Sequence, residues 1–424
     1  MREMKDSGIE WIGAIPQDWQ LSKIGSLYTQ RNEKVSDKDY QPLSVTMQGI
    51  LPQLATAAKT DDGDNRKLVR VGDFAINSRS DRRGSCGISP LDGSVSLINI
   101  ILTPRTAMHP GYYNWLFHTT LFADEFYKWG HGIVADLWTT RWQEMKSITV
   151  PVPEYAEQER IAAFLDAECA EIDAVLEKTR ASIEEYKKLK QAVITQAVTK
   201  GIRGDRPMKD SGIEWIGEIP AEWNKDKVIR VFSVIGSGTT PKSSDENLFD
   251  GNTPWIQSGD INGENLFVTK NCVSNSAIES YSALRVYQAP YLVVAMYGAS
   301  VGNLSLSMID ACVNQACCVL KKPTINLKFS FYIFKAVKDY LARKAVGGGQ
   351  PNISQETIKQ LWLPIPSADE QIEISNYLDE KCRSVDALIA KKQQYLTEIE
   401  NYKKSLIYEY VTGKKEVKTS VLVD

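Results

Sequence analysis

The chain contains two long segments with the same heptad pattern, and this pattern constrains the fold more than any other feature. From Leu165 onward, side chains suited to a helix–helix contact recur in alternating steps of four and three residues. The same positions, polar ones included, recur without a gap after a shift of 213 residues. Such steps are typical of coiled coils. We therefore predict two long helices that pair with each other along one seam.

The predicted seam is mainly aliphatic. Its positions in the first helix are Leu165, Ile172, Leu176, Ile183, Tyr186 and Val193, and those in the second are Leu378, Val385, Ile389, Leu396, Ile399 and Leu406. Polar steps interrupt both halves at matching places: Thr179 matches Lys392, and Lys190 matches Lys403. We interpret these steps either as devices that fix the register or face a partner, or simply as partly exposed positions.

The ends of both helices are marked in the sequence. Each helix follows a Pro-x-Pro pair, which bars an earlier helical start. Ser367 and Glu370 form a capping-box pattern at the start of the second helix. Both helices are expected to stop at glycine, at Gly201 and Gly413. At about 1.5 Å per residue, each helix would span roughly 60–65 Å.

A second repeat precedes each half of the chain. Residues 4–19 and 208–223 are identical at thirteen of sixteen positions. Such a match indicates a duplicated architecture. Glycine and proline exclude a long helix here, so we expect extended segments that dock on the rest of the fold. Their tryptophans are expected to pack rather than to bind a ligand: Trp11, Trp19, Trp215 and Trp223.

Between the anchors and the helices lie two irregular blocks of short apolar runs bounded by turn residues, which indicates strands joined by loops. Helices are expected at 111–129 and 329–345. The predicted organisation is listed in chain order: anchor 1 (1–19), block 1 (20–153), the first long helix (154–201), a linker with anchor 2 (202–223), block 2 (224–366), the second long helix (367–413) and a tail (414–424).

The net charge of −3 conceals an uneven distribution. Residues 20–150 carry 15 Lys and Arg against 13 Asp and Glu, and residues 224–363 carry 14 against 10. The other segments are acidic. The two blocks are therefore where a polyanion is expected to bind.

The most basic loop of block 1 is a candidate for nucleic-acid contact. Arginine can fork onto guanine or phosphate, and Asn and Ser add further hydrogen bonds. The alternative is an ordinary solvated loop. The candidates in this loop are Asn77, Arg79, Ser80, Arg82 and Arg83.

Composition argues against several other classes of protein. No apolar run reaches the roughly 18 residues of a membrane span, and residues 1–10 are too polar for a signal peptide, so we expect a cytoplasmic protein without a membrane partner. The seven cysteines lack a C-x-x-C pair, and Cys312, Cys317 and Cys318, which lie in an apolar strand-like run, are expected to be buried free thiols. With three histidines, a metal site is not expected.

No catalytic motif is found, so the chain is expected to be non-catalytic. Two alternatives stay open at this point. One is a tandem coiled-coil scaffold that binds protein without recognising DNA. The other is a nuclease or methyltransferase in its own right.

An ordered set of motifs resembles the specificity subunits of type I restriction–modification systems over almost the whole chain. Both halves carry the Pro-x-Pro junction followed by Glu-Gln, at Glu157-Gln158 and Glu370-Gln371. Block 2 adds further motifs: Gly236-x-Gly-Thr-Thr-Pro241, Trp255-Ile-Gln-Ser-Gly-Asp260, Gly298 with Gly302, Asn314-Gln315, and the glycine loop before Asn352. These segments supply candidate DNA-binding residues: Thr239, Thr240, Lys242, Gln257, Ser258, Asp260, Tyr297, Gln315, Gly348, Gly349, Gln350 and Asn352.

The resemblance implies an α+β fold with two pseudo-repeated α/β target-recognition domains, separated by a pair of long antiparallel coiled-coil helices with an intrachain pseudo-two-fold. It implies binding of double-stranded DNA at a bipartite site whose spacer the helices set. The implied partners are two methyltransferase subunits and two restriction subunits. The complex would use S-adenosylmethionine, ATP and Mg²⁺ through those partners, with no cofactor bound by this chain.

Block 1 departs from the family pattern. It lacks the Gly-x-Thr-Pro opening and has Gln48-Gly-Ile50 and Arg79–Gly84 where block 2 has Ser258-Gly-Asp260 and Tyr297–Gly302. This difference fits two different half-sites. If the helices pair antiparallel, the two chain termini are also expected to lie close together.

Overall fold

The computed structural model describes residues 2–53, 62–132, 138–347 and 351–418. The chain divides into two compact units. Unit 1 comprises Met1–Arg180 with Gln394–Asp424, and unit 2 comprises Ala181–Gln393. Each unit therefore holds one anchor, one block and part of each long helix.

The strands of unit 1 are short and pair antiparallel. They are β1 (Met4–Asp6), β2 (Ala14–Pro16), β3 (Gln20–Lys23), β4 (Tyr28–Arg31), β5 (Lys34–Val35), β6 (Leu43–Thr46), β7 (Gly49–Pro52), β8 (Arg66–Val69), β9 (Phe74–Asn77), β10 (Cys86–Ile88), β11 (Gly93–Val95), β12 (Asn99–Pro104) and β13 (Thr149–Val152). The largest sheet has the order β10-β9-β12-β4, beside a sheet β11-β8-β5 and the pairs β1-β2, β6-β7 and β13-β3. Anchor 1 is thus a hairpin rather than a single extended segment.

The helices of unit 1 are α1 (Ile24–Leu27), α2 (Pro110–Phe117), α3 (Thr120–Lys128), α4 (Trp142–Met145) and the first part of α5 (Tyr155–Lys200). The prediction of one helix over 111–129 was wrong, because the chain breaks between α2 and α3. Thr119 Oγ1 accepts a hydrogen bond from Phe122 N at 3.2 Å, so Thr119 caps a new helix instead of continuing the old one.

Unit 2 has a larger central sheet. Its strands are β14 (Met208–Asp210), β15 (Glu218–Pro220), β16 (Asn224–Lys227), β17 (Phe232–Gly236), β18 (Thr253–Ile256), β19 (Asn265–Leu266), β20 (Asn271–Val273), β21 (Tyr291–Ala295), β22 (Leu304–Ser307), β23 (Cys312–Val313), β24 (Cys317–Pro323) and β25 (Trp362–Ile365). Five of them form the sheet β17-β24-β21-β22-β19, and three form β20-β18-β23. The pairs β14-β15 and β16-β25 match β1-β2 and β3-β13 of unit 1.

The helices of unit 2 are α6 (Val228–Val231), α7 (Asn275–Ser280), α8 (Leu327–Lys344), α9 (Gln355–Lys359) and the first part of α10 (Ala368–Val411). Helix α8 confirms the helix predicted at 329–345. It starts two residues earlier, where Asn326 Oδ1 accepts a hydrogen bond from Phe329 N at 3.0 Å.

Both units have apolar cores into which the anchor tryptophans pack, as predicted. Trp11, Trp19 and Trp223 are buried, and Trp215 is partly buried. The block 2 cysteines Cys312, Cys317 and Cys318 are buried free thiols, and burial raises the pKa of Cys317 to about 12.

The predicted seam positions lie on two long helices. Helix α5 is 46 residues long and α10 is 44 residues long. Every predicted seam position is buried or partly buried. The stops are confirmed, since Gly201 (φ 76°) and Gly413 (φ 72°) adopt the left-handed conformation that favours glycine after a helix.

Polar contacts show that α5 and α10 pair antiparallel within each unit. In unit 1, Lys403 Nζ binds the Asp173 carboxylate at 2.6 Å. In unit 2, Lys190 Nζ binds the Asp386 carboxylate at 2.6 Å. The two ion pairs are equivalent, because Lys403 lies 213 residues after Lys190 and Asp386 lies 213 residues after Asp173. The interpretation of Lys190 and Lys403 as register-fixing positions is therefore supported by a contact for each.

A carboxylate at the start of each long helix holds the anchor in place; Glu370 is buried and Glu157 is partly buried. Trp223 Nε1 donates to Glu370 Oε2 at 2.8 Å, and Arg206 Nη1 donates to Glu370 Oε1 at 2.6 Å. Unit 1 repeats the arrangement, with Trp19 Nε1 donating to Glu157 Oε2 at 2.9 Å and Arg2 bound to the same carboxylate. We call these the Glu370 latch and the Glu157 latch.

The glutamine that follows each of these glutamates ties the helix start to its own block. Gln371 Nε2 donates to Pro366 O at 2.9 Å, and Gln371 Oε1 accepts from Asn326 N at 2.7 Å. Gln158 makes the equivalent contacts with Pro153 and His109. The predicted capping box forms only in part, because Ser367 accepts from Glu370 N while the Glu370 carboxylate is used by the latch.

The N-terminal hairpin of unit 1 contacts the C-terminal end of α10. Tyr408 Oη donates to Trp11 O at 3.2 Å and to Ile12 O at 3.0 Å, and Lys414 Nζ donates to Ala14 O at 3.2 Å. In unit 2, the equivalent hairpin follows α5 directly in the chain. In unit 1, hydrogen bonds therefore join the hairpin to the end of a long helix, whereas in unit 2 the chain itself joins the two.

We expect a circular permutant to fold. The permutant joins Asp424 to Met1 through a short flexible linker and opens the chain in the exposed linker near Asp205. Equilibrium denaturation should give one soluble species with a midpoint near that of the parent chain. Opening the chain inside α8 is the control, because it cuts a buried helix. If the permutant opened near Asp205 has a denaturation midpoint no higher than that of this control, the contact between the N-terminal hairpin and the end of α10 is contradicted.

Candidate nucleic-acid interface

At one edge of block 2, the carboxyl ends of β18 and β21 meet the start of β24. Met296 N, just after β21, donates to Ala316 O at 2.7 Å. Asn314 N, just before β24, donates to Ile256 O at 3.0 Å. The next residues along the chain are three of the predicted candidates, which the structure therefore brings to one edge: Gln257, Tyr297 and Gln315.

The glycine motif that opens block 2 lets its loop lie against this edge. A Cβ at Gly238 would lie 1.7 Å from Val313 O, so only glycine fits. Beyond it, Thr240 Oγ1 donates to Gln315 Oε1 at 2.6 Å, with both residues at the surface. The loop thus adds Thr239, Thr240 and Lys242 to the candidate surface, and Lys242 N is held by Tyr281 Oη at 3.2 Å.

A single 3₁₀ turn, Ser258–Asp260, presents the Gln257 region. Asp260 Oδ2 accepts from Gln257 N at 2.9 Å, so this carboxylate shapes the turn. Gln257 Oε1 accepts from Asn271 Nδ2 at 2.9 Å, at the exposed start of β20. Asn271 was not singled out from the sequence, because only the fold brings it beside Gln257.

The loop after α8 returns to the end of β21 and forms what we call the block 2 junction. Tyr297 and Asn352 form a bridge, and Gly298 N donates to Pro351 O at 2.9 Å. A 3₁₀ turn, Gly298–Ser300, then leads to Gly302, whose φ is 78°. The Tyr297 side chain is 45% exposed, so it is available to a ligand. The candidates Gly348, Gly349 and Gln350 lie outside the described residues.

Block 1 has the same junction at the end of β9. Arg79 bridges Thr139, and Ser80 N donates to Trp138 O at 3.1 Å. A 3₁₀ turn over Ser80–Arg82 then leads to Gly84, whose φ is 76°. Arg79 thus stands where block 2 has Tyr297, and Thr139 stands where block 2 has Asn352. The sequence missed Thr139, because its place follows only from the pairing of the two loops.

The five candidates of the block 1 loop separate by exposure. Arg79, Arg82 and Arg83 are exposed. Arg83 pairs with Asp124, and its guanidinium lies 5.8 Å from the centre of the Tyr127 ring.

Asn77 differs from the exposed candidates, because it is 6% exposed and its Oδ1 accepts from Arg79 N at 3.0 Å. The buried Tyr127 hydroxyl donates to Asn77 O at 3.0 Å, and burial raises the pKa of Tyr127. Asn77 therefore builds the loop, whereas Arg79 and Arg82 face solvent.

The arrangement offers polar and aromatic groups suited to binding. Exposed guanidinium, amide, hydroxyl and aromatic groups stand on short turns fixed by backbone hydrogen bonds. No group of three or more His, Cys, Asp or Glu side chains suited to a metal ion occurs in the part of the chain that the structure describes. Within the same residues, every helix is too short or too polar to cross a bilayer.

Comparison with known proteins points to one family. Residues 220–401 match the model of the type I restriction modification DNA specificity domain. The putative type I restriction enzyme MjaX specificity subunit of Methanocaldococcus jannaschii is 25% identical, over 65% of this chain and 61% of its own length. The MjaVIII specificity subunit of the same organism is 23% identical, over 95% of this chain and 94% of its own.

Two solved structures show the same fold. One comes from a study of the assembly and conformational transition of a type I R-M system; it matches 95% of this chain and 99% of its own, with a TM-score of 0.74 and 15% identity. The other is the HsdS subunit from Thermoanaerobacter tengcongensis. It matches 95% of this chain and 98% of its own, with a TM-score of 0.51 and 17% identity.

Proposed function

Because the chain belongs to the family of type I restriction–modification specificity subunits, we propose that its two junctions read the two halves of a bipartite DNA site. In this proposal the chain selects the DNA and does not itself catalyse a reaction. Methyl transfer and cleavage belong to partner subunits, which bring S-adenosylmethionine, ATP and Mg²⁺ to the complex.

One observation carries the proposal: both blocks build the same junction but place different side chains on it. The backbone hydrogen bonds from residue 80 to residue 138 and from residue 298 to residue 351 are equivalent. The exposed groups are an arginine beside a threonine in block 1 and a tyrosine beside an asparagine in block 2. A common scaffold with different polar side chains is what two different half-sites require.

The chemistry of these side chains suits base recognition. Arginine binds the O6 and N7 atoms of guanine with two parallel hydrogen bonds, and asparagine or glutamine binds N6 and N7 of adenine in the same way. Arg79 and Arg82 supply the first type of group in block 1. Asn352, Gln257 and Gln315 supply the second in block 2. Lysines such as Lys242 contribute contacts to phosphate, which position the duplex without reading its sequence.

The long helices are proposed to set the spacer and to relate the two halves by a pseudo-two-fold axis. Both α5 and α10 continue from one unit into the other, and their ion pairs are equivalent in the two units. A pair of long helices with a fixed register makes the distance between half-sites a geometric property.

The outward face of the helix pair is the proposed platform for two methyltransferase subunits, to which two restriction subunits add. On α10, large apolar side chains are exposed at intervals of seven residues. These residues are Leu388, Tyr395 and Tyr402. On α5, Val175 and Leu189 are exposed at the positions equivalent to Leu388 and Tyr402. Exposed apolar side chains in a heptad stripe are typical of a further helix–helix contact.

The separate roles of the two junctions can be tested by mapping N6-methyladenine in cells that express the complete system. The parental map gives both half-sites and the spacer. We expect the Arg79→Ala/Arg82→Ala variant to relax the half-site read by block 1 and to leave the other half unchanged. Asn352→Ala should do the reverse. Each lost base contact should cost about 1–3 kcal/mol, or roughly 5- to 150-fold in affinity for the correct base.

Arg203→Ala is the matched control, because Arg203 is exposed and pairs with Glu373 outside either junction. Its methylation map should equal that of the parent. Variants that weaken both half-sites equally would contradict separate reading. Failure of the chain to shift duplex DNA at low salt, even with its methyltransferase present, would favour the protein-binding scaffold instead.

A further inference from the structure

A cleft of about 990 Å³ in unit 2 lies between α8, the unit 2 parts of α5 and α10, and residues 262–267. Its lining is rich in cations, with three carboxylates among them. The basic residues in the lining are Lys187, Lys190, Lys328, Lys335, Lys338 and Arg383. The acidic residues are Glu264, Asp379 and Asp386.

Two of the three carboxylates are already paired. Asp386 binds Lys190 at 2.6 Å. Asp379 binds Lys328 and accepts a hydrogen bond from Tyr332 Oη at 2.6 Å. Their charges are therefore largely compensated within the cleft.

Three cations in the lining have no such partner. Among the described residues, no carboxylate lies within ion-pair distance of Lys335, Lys338 or Arg383. Lys335 lies 4.6 Å above the centre of the Phe331 ring, and burial lowers its pKa. A bound anion would offset that burial, because a nearby negative charge favours the protonated amine.

The cleft adjoins the turn that follows the block 2 junction. A Cβ at Gly302 would lie 3.0 Å from Lys338 O, so the junction turn packs directly on α8. Asn303, the next residue, lines the cleft. On the other side, Asn262 follows closely after the Ser258–Asp260 turn and also lines the cleft. A duplex whose bases are read at these turns would have its backbone beside the three cations.

In the described part of unit 1, the corresponding positions carry different side chains. Gln158 Oε1 accepts a hydrogen bond from His109 N, and Gln371 Oε1 accepts one from Asn326 N. His109 and Asn326 therefore occupy corresponding positions in the two units. By the same offset, the counterpart of Lys335 is His118, which directly follows α2. By the 213-residue shift of the long helices, the counterparts of Lys187 and Arg383 are Glu400 and Ala170.

These differences remove the charge from the unit 1 position. Burial lowers the pKa of His118, so this side chain is neutral near pH 7. Glu400 is acidic and pairs with Arg180 at 2.6 Å. Within the described residues of unit 1, the positions that correspond to Lys335, Lys187 and Arg383 therefore carry no cation at neutral pH.

We propose that Lys335, Lys338 and Arg383 bind the phosphate backbone of the DNA beside the half-site read by block 2. This inference rests on the proposed function. It adds a phosphate-binding site to the base-reading turns.

The test compares the parent complex with the triple variant Lys335→Gln/Lys338→Gln/Arg383→Gln. Binding to a duplex that contains the mapped site is measured by fluorescence anisotropy from about 50 to 200 mM salt. Each released phosphate contact changes the slope of log K against log salt by about 0.9. We expect the slope to become shallower by about 2–3, while the methylated motif stays the same.

The charge-matched control removes three exposed lysines of the long helices outside the cleft: Lys178→Gln, Lys391→Gln and Lys404→Gln. Its slope should equal that of the parent. A triple variant with an unchanged slope, or a control with an equal loss, overturns the assignment to the cleft. A parent complex that does not bind the duplex overturns the proposed function itself.

An acidic protein partner is the competing occupant of the cleft, and the same variant distinguishes it. If the triple variant loses association with the methyltransferase subunit in size-exclusion chromatography while the assembled fraction keeps the parental salt slope, the cleft binds protein and the phosphate proposal fails. Circular dichroism and the denaturation midpoint of each variant establish that the folded chain is being compared.

Discussion

Replacing Glu370 with alanine should lower the free energy of unfolding by about 3–5 kcal/mol, because it removes one partner of a buried ion pair. The Glu370 side chain is 3% exposed and that of Arg206 is 11% exposed. The change also leaves the indole N–H of Trp223 without its acceptor in the core. Equilibrium urea denaturation of the full chain, with hydrogen exchange to locate the loss, measures the effect.

Glu373→Ala supplies the matched control one turn along the same helix. Glu373 pairs with Arg203 at 2.8 Å, but both side chains are about half exposed, so the change should cost much less stability than Glu370→Ala. The loss of stability for Glu157→Ala should lie between these two losses. Its partner Arg2 has a side chain that is 20% exposed, whereas the side chain of Arg206, the partner of Glu370, is 11% exposed. Equal losses for Glu370→Ala and Glu373→Ala would show that the Glu370 latch does not stabilise the unit.

Inserting one heptad into both long helices should change the spacer of the recognised site by about three base pairs. Seven residues lengthen a helix by about 10 Å, and a turn of duplex DNA of about 34 Å contains 10–10.5 base pairs. The insertions are placed between Arg180 and Ala181 and between Gln393 and Gln394, at the unit boundaries. Methylation at the parental spacer should be lost and methylation at the new spacer gained, with both half-sites unchanged.

Insertion into α5 alone is the control for this experiment. It shifts one helix against the other by a heptad, so Lys190 and Lys403 cannot both keep their Asp386 and Asp173 partners. We expect this variant to be less stable and to lose methylation at every spacer. A double insertion that still prefers the parental spacer would rule out the helices as the element that sets the distance.

The local features of the fold were predictable from the sequence. The seam, the glycine stops and the block 2 helix depend on periodicity and on residues a few positions apart, which a sequence displays directly. The break between α2 and α3 was missed, although Thr119 offered a capping signal inside an otherwise helical run. Apolar residues on both sides of the break concealed it.

Contacts between distant segments were not predictable in the same way. The Glu-Gln dipeptides marked the helix starts, but nothing local indicates that Glu370 binds Arg206 and Trp223, which are more than 140 residues away. The same limit applies to Thr139 and Asn271. The exposure of Arg79 and the burial of Asn77 also depend on a neighbour, Tyr127, that the fold supplies.

The pairing of β3 with β13, and of β16 with β25, has a consequence for how new specificities arise. Gln20 lies opposite Val152, and Asn224 lies opposite Ile365, so each block enters and leaves the fold at adjacent points on one two-stranded ribbon. On the proposed function, exchange of a block through two cuts at its ribbon is therefore expected to change one half-site of the target sequence, with the latches and the helices left intact.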